Sequence, residues 1–131
     1  KKYYPLEFVV YFSKIMSLRR ITMYQPVKNT NAVVTENIHK PGRNVMFLSA
    51  DWCGDCRAIK PFIQNIKDTV SQTANWFDAD RDDNLDVATA YNLRGIPSFV
   101  LFENGKEISR IGHGERLTPK QILDWYQRTL N

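Results

Sequence analysis

Downstream of residue 40 the chain alternates between unbroken apolar runs and stretches whose apolar residues fall three or four apart, with Gly, Pro, Asn and Asp between them. The run "NVMFLSA", bounded by "KPGRN", predicts a central strand buried on both faces. In "DWCGDCRAIKPFIQNIKDTVSQ" the residues Ile59, Phe62, Ile63, Ile66 and Val70 recur at helical spacing. Pro61 lies inside that helix and should kink it about two turns in. "NWFDAD" predicts a further strand, and "RDDNLDVATAYNLRG" a helix started by Asp or Asn, with Leu85, Ala88 and Tyr91 on one face. "IPSFVLF-ENGK-EISRIG" predicts a hairpin whose turn needs Gly105 at positive φ. The last helix has Thr118 as cap, Pro119 at its first position and Gln121 closing a capping box, with Ile122, Trp125, Tyr126 and Leu130 on its apolar side.

Upstream, "ITMYQPV" reads as a first strand stopped near Pro26, and "NTNAVVTENIHKPG" as a short helix started by Thr30 or Asn31 and ended before Pro41. The predicted order is β-α-β-α-β-α-β-β-α. Crossover helices imply parallel pairing early and the hairpin antiparallel pairing late, so the fold class is α/β, a mixed sheet flanked by helices on both faces. Residues 1–20 form an extension and residues 21–131 the domain.

A length of 131 residues suits one domain, and 43% hydrophobic with 24% charged residues excludes a disordered or fibrous chain. The net charge of +4 sits entirely in residues 1–20, where Lys1, Lys2, Lys14, Arg19 and Arg20 face Glu7 alone. The rest carries 13 basic and 13 acidic side chains, which argues against nucleic acid as partner. No apolar run approaches a membrane span of about 20 residues. Phe8 to Phe12 is too short for the apolar centre of a secretory signal, so the cytoplasm is the expected compartment.

The two cysteines, Cys53 and Cys56, stand two residues apart where strand gives way to helix. Structural zinc usually takes four ligands, and adding His39 and His113 would draw two of them from distant loops. A cluster held by four cysteines is excluded by count, and covalent haem wants His where Arg57 stands. A structural disulfide closing so short a loop gains little. A redox pair fits the placement: free N–H groups at a helix start favour a thiolate on Cys53, the exposed sulfur of the first turn, and Cys56, facing the same side, can attack the resulting mixed disulfide.

"ADWCGDCRAIKP" resembles the active-site segment of the thioredoxin family, with Pro61 five residues after the second cysteine. "YNLRGIPSFVLFENGK" resembles the family's later segment, in which a cis Ile-Pro peptide precedes the hairpin. The resemblance spans roughly residues 21–131. It implies a thioredoxin-like fold, Cys53 as nucleophile and Cys56 as resolving thiol. It also implies a contact surface of Trp52, Gly54, Asp55, Gly95, Ile96 and Pro97, completed by Gly112, with Ile96 offering its backbone to an extended substrate. No cofactor or metal is implied beyond the cysteine pair. The expected partners are disulfide-containing protein substrates and an upstream reductase that the sequence does not identify.

Three departures from the family pattern stand out. Asp55 replaces the usual Pro and should disfavour the Cys53 thiolate unless Arg57 offsets it, making the pair more reducing. Phe47 and Trp76 replace a buried Asp and its Lys partner, leaving deprotonation of Cys56 to water or Asp55 and slowing resolution. The "GHGERLT" loop is longer than usual and carries His113, either a solvated histidine or a proton relay near the sulfurs. The main expectation is a protein-disulfide reductase. The alternatives are an extracytoplasmic oxidase or isomerase, and a binding or redox-sensing module with little reductase activity.

Overall fold

The computed structural model describes residues 23–131, so the basic segment 1–20 lies outside the described residues. In chain order these form helix α1 (Asn31–Ile38), strand β1 (Arg43–Ser49), helix α2 (Gly54–Val70), strand β2 (Asn75–Asp80), helix α3 (Leu85–Ala90), strands β3 (Ser98–Glu103) and β4 (Lys106–Ile111), and helix α4 (Pro119–Thr129). The sheet order is β2-β1-β3-β4, with β1 parallel to β2 and antiparallel to β3, and β3 antiparallel to β4.

Period-two alternation along β1 sorts the core into two layers. Val45 and Phe47 pack with Phe99 and Leu101 of β3 against Ile59, Ile63 and Ile66 of α2 and Ile122 and Trp125 of α4. Met46 and Leu48 point to the other face, where Val34 and Ile38 of α1 and Val87 and Ala88 of α3 cover them. Burying each of these aliphatic side chains contributes roughly 1.5–3 kcal/mol, which is why β1 holds both layers in place.

Local signals act as the sequence implies at most element ends. Thr30 caps α1, and Thr118 with Gln121 forms the capping box of α4 behind Pro119. The hairpin turn places Asn104 at φ 52° and Gly105 at φ 85°, matching a two-residue turn with both central residues left-handed. α2 runs unbroken through Pro61.

Four expectations need correction. Met23 to Val27 carry no strand, and the sheet has four strands among the described residues. Pro26 has no N–H to give, and the Val27 N–H donates to the Asp78 carboxylate at 2.9 Å instead of to a neighbouring backbone. The helix expected over 81–95 shrinks to a 3-10 turn, Asp82–Asn84, followed by the short α3. It buries Val87 and Ala88 and leaves Leu85 exposed. Phe62 sits on the exposed shoulder of α2, and Leu130 lies past the end of α4 and is exposed.

The segment before α1 is held to β2 by a buried carboxylate. Asp78 accepts from the Tyr24 hydroxyl at 2.7 Å, from the Val27 N–H and from the Trp76 indole N–H at 3.0 Å, while its carbonyl accepts from the Asn29 amide at 2.8 Å. Burial, and then the Asp78 carboxylate, hold the Tyr24 phenol protonated well above its ordinary range. A raised folded value means that this contribution is complete below about pH 10 and is lost as the solution becomes more alkaline. Tyr24→Phe should cost about 1–3 kcal/mol in urea unfolding, constant from pH 6 to 9, because Asp78 loses a donor while staying buried. A variant as stable as wild type at pH 7 would contradict the role of this bond.

Candidate active site

α2 begins five residues after β1 ends, and its free N–H groups meet a sulfur. Cys53 is the N-cap, with φ −81° and ψ 117°, and its Sγ accepts the Cys56 backbone N–H at 3.1 Å. The sulfur thus takes the place of the side-chain oxygen that usually accepts a free N–H at a helix start. The sulfur expected to be exposed in the first turn is therefore one position earlier and only 7% exposed. It packs with Ala50, Cys56 and Ile96, and its thiol points at the Ile96 carbonyl at 3.7 Å.

Cys56 is completely buried three residues on. Burial above all, then its hydrogen bond with Cys53, push its thiol up to about 12. The Cys53 and Asp55 charges add to the rise, and a bond with the Ala50 backbone opposes it. This sulfur gives up its proton only when something accepts it.

The segment before β3 closes the other side. Ile96–Pro97 is a cis peptide. Gly95 has to be glycine, because the backbone of His113 and Gly114 occupies the place of a side chain. Gly112, at φ 101°, lies against the Pro97 carbonyl in the same way. Ser98 Oγ ties the two strands of chain, donating its one proton to the Gly95 carbonyl while lying 3.3 Å from the Gly112 carbonyl. The loop after β4 thus stacks on residues 95–98 beside the sulfurs.

Trp52 is 58% exposed, and its indole N–H donates to Asp82 at 2.8 Å. Gly54 opens α2 on the surface. The Arg57 guanidinium donates to the Asp51 carbonyl at 2.8 Å, so Arg57 does not offset Asp55 as expected. Arg116, from the loop after β4, does so with Nε 3.0 Å from Asp55 Oδ1. Lys28 lies 2.8 Å from Asp51, raising its own pKa and lowering that of Asp51, on an exposed surface. His113 is exposed, and its side chain makes no hydrogen bond among the described residues.

Phe47 is fully buried and stacks on Phe99 with ring centres 4.9 Å apart, with Trp76 tilted against both. An acid does survive in this layer, one strand over: Asp78 stands opposite Phe47 in the β1–β2 register. Its three donors leave it serving the segment before α1. The sequence reading missed Asp78, Asp82, Lys28 and Arg116. Only Asp78 had a signal, since alternation in "NWFDAD" sends it to the same face as Trp76.

A sulfur-capped helix start, a buried second sulfur and a cis-proline segment come together at one place in the fold. The family model described as Thioredoxin matches residues 25–127, and the chain belongs to the thioredoxin family. Putative thioredoxin-5 of Dictyostelium discoideum is 31% identical over 102 residues, covering 77% of this chain and 96% of that protein. Thioredoxin H-type of Fagopyrum esculentum is 39% identical over 67 residues, 51% of this chain and 57% of the relative. For the mitochondrial Thioredoxin-2 of Schizosaccharomyces pombe the match is 33% over 83 residues, 63% and 62%. Among solved structures, mitochondrial thioredoxin 3 of Saccharomyces cerevisiae in its oxidized form superposes with a TM-score of 0.66 at 22% identity, over 79% of this chain and 94% of that one. That likeness shows the fold. Members of this family use their own cysteine pair and need no external cofactor. No helix among the described residues is long and apolar enough to cross a membrane.

The raised Cys56 value fixes a sign. An unfolded chain ionises this thiol near 9.0 and the folded one near 12, so the reduced protein holds the contribution below about pH 9 and loses it towards pH 12. In reducing buffer, the stability gap between wild type and Cys56→Ala should narrow over that window. A gap constant to pH 12 would show that Cys56 ionises as readily folded as unfolded.

Proposed function

We propose that the chain is a protein-disulfide reductase acting through Cys53 and Cys56. The observation that carries this reading is the Cys53 sulfur at the cap of α2, accepting the Cys56 N–H beside the Ile96 carbonyl. The Cys53 thiolate attacks one sulfur of a substrate disulfide, forming a mixed disulfide and expelling a substrate thiolate, which takes up a proton. Cys56 then loses its proton to water or to Asp55 and attacks Cys53. The Cys53–Cys56 disulfide forms, the second substrate thiol leaves, and two electrons have passed to the substrate. An upstream dithiol reductase returns the pair to its thiols.

Trp52, Gly54, Asp55, Gly95, Ile96 and Pro97 shape the substrate contact, with Ile96 pairing its backbone to an extended peptide. The catalytic unit is residues 21–131, residues 1–20 are a basic extension, and the working compartment is the cytoplasm. The aromatic pair Phe47 and Trp76 supports slow resolution, because no acid stands at the usual place to take the Cys56 proton. It also favours a second reading, a redox-sensing or binding module that forms the disulfide but turns over poorly.

Reduction of insulin disulfides with dithiothreitol as electron source separates the two. The reductase reading expects turnover well above the dithiothreitol background, abolished by Cys53→Ser, and a trapped mixed disulfide with Cys56→Ser. Background-level turnover by the wild type would favour the module.

A further inference from the structure

The residue between the two cysteines is a carboxylate, and its counter-charge comes from the far side of the site. Asp55 lies in the first turn of α2, where an acid suits the helix dipole but repels a thiolate at the cap. The cation nearest in sequence, Arg57, is committed to the Asp51 carbonyl. Arg116 reaches Asp55 from 61 residues away, Nε to Oδ1 at 3.0 Å.

The backbone around Arg116 is fixed on both sides. Upstream, His113 and Gly114 fill the space over Gly95, and Gly112 lies on the Pro97 carbonyl. Downstream, Leu117 is buried in the core layer of α2 and α4, and Thr118 caps α4. The loop's own acid, Glu115, is occupied by the His113 backbone N–H. The loop after β4 thus delivers a cation to the carboxylate that stands between the two cysteines.

We propose that Arg116 is a positioning residue for the exchange reaction, neutralising Asp55 beside the sulfurs so that Cys53 can react as an anion. This rests on the reading of Cys53 as the attacking thiol. The side chains are 68% and 33% exposed, so the effect is modest and screened by salt.

The test is the rate at which iodoacetamide, a neutral reagent, alkylates Cys53 in the reduced full-length chain at pH 7. Arg116→Gln should slow it roughly two- to threefold in dilute buffer. The loss should shrink in about 0.5 M NaCl, where charges are screened beyond a few ångströms. Asp55→Asn should react faster than wild type, and adding Arg116→Gln to it should change nothing further. An unchanged rate in Arg116→Gln, or an equal loss with and without Asp55, would overturn the proposal, the second by showing that Arg116 acts through loop shape. Alkylation needs no substrate turnover. A chain that alkylates as expected but leaves insulin intact would defeat the reductase reading and leave the Arg116 assignment standing.

Discussion

The first free N–H groups of α2 need an acceptor, and Cys53 Sγ supplies one to Cys56 at 3.1 Å. The two elements on either side hold that junction in place. β1 is buried on both sides, so its end is fixed; α2 is anchored by Ile59, Ile63 and Ile66, so its start is fixed; the turn between them carries the sulfurs. Cys53 caps the helix while burial keeps Cys56 a thiol, an asymmetry that supports the proposed attack by Cys53 and resolution by Cys56.

A second constraint is backbone against backbone. Gly95 and Gly112 let the loop after β4 lie directly on the segment around Pro97, a contact that any side chain would break. The loop brings no hydrogen bond from His113 to the sulfurs. What it brings is Arg116, whose Nε lies 3.0 Å from the carboxylate of Asp55, the residue between Gly54 and Cys56.

Much of this was legible in the sequence. The apolar run of β1, the spacing in α2, the "ENGK" turn and the capping box of α4 are local signals with single physical readings. What escaped depended on distant partners. "ITMYQPV" has strand composition, but a buried Asp78 offered Tyr24 and Val27 better acceptors than a neighbouring strand. Cys53 looked exposed because sequence places it at a surface turn, whereas Ile96, 43 residues away, covers it. Arg57 looked like the partner of Asp55 by proximity along the chain, and only the fold shows that Arg116 is nearer in space.

The central proposal is that the pair works as a reductant, because burial makes Cys56 hold its proton and so favours the dithiol form. Equilibrating Cys53–Cys56 with glutathione and reading its reduction potential tests this most directly. The account predicts a potential more negative than about −230 mV, towards the reducing end of this class of proteins. A value well above about −200 mV would contradict it and mark the chain as an oxidant or isomerase.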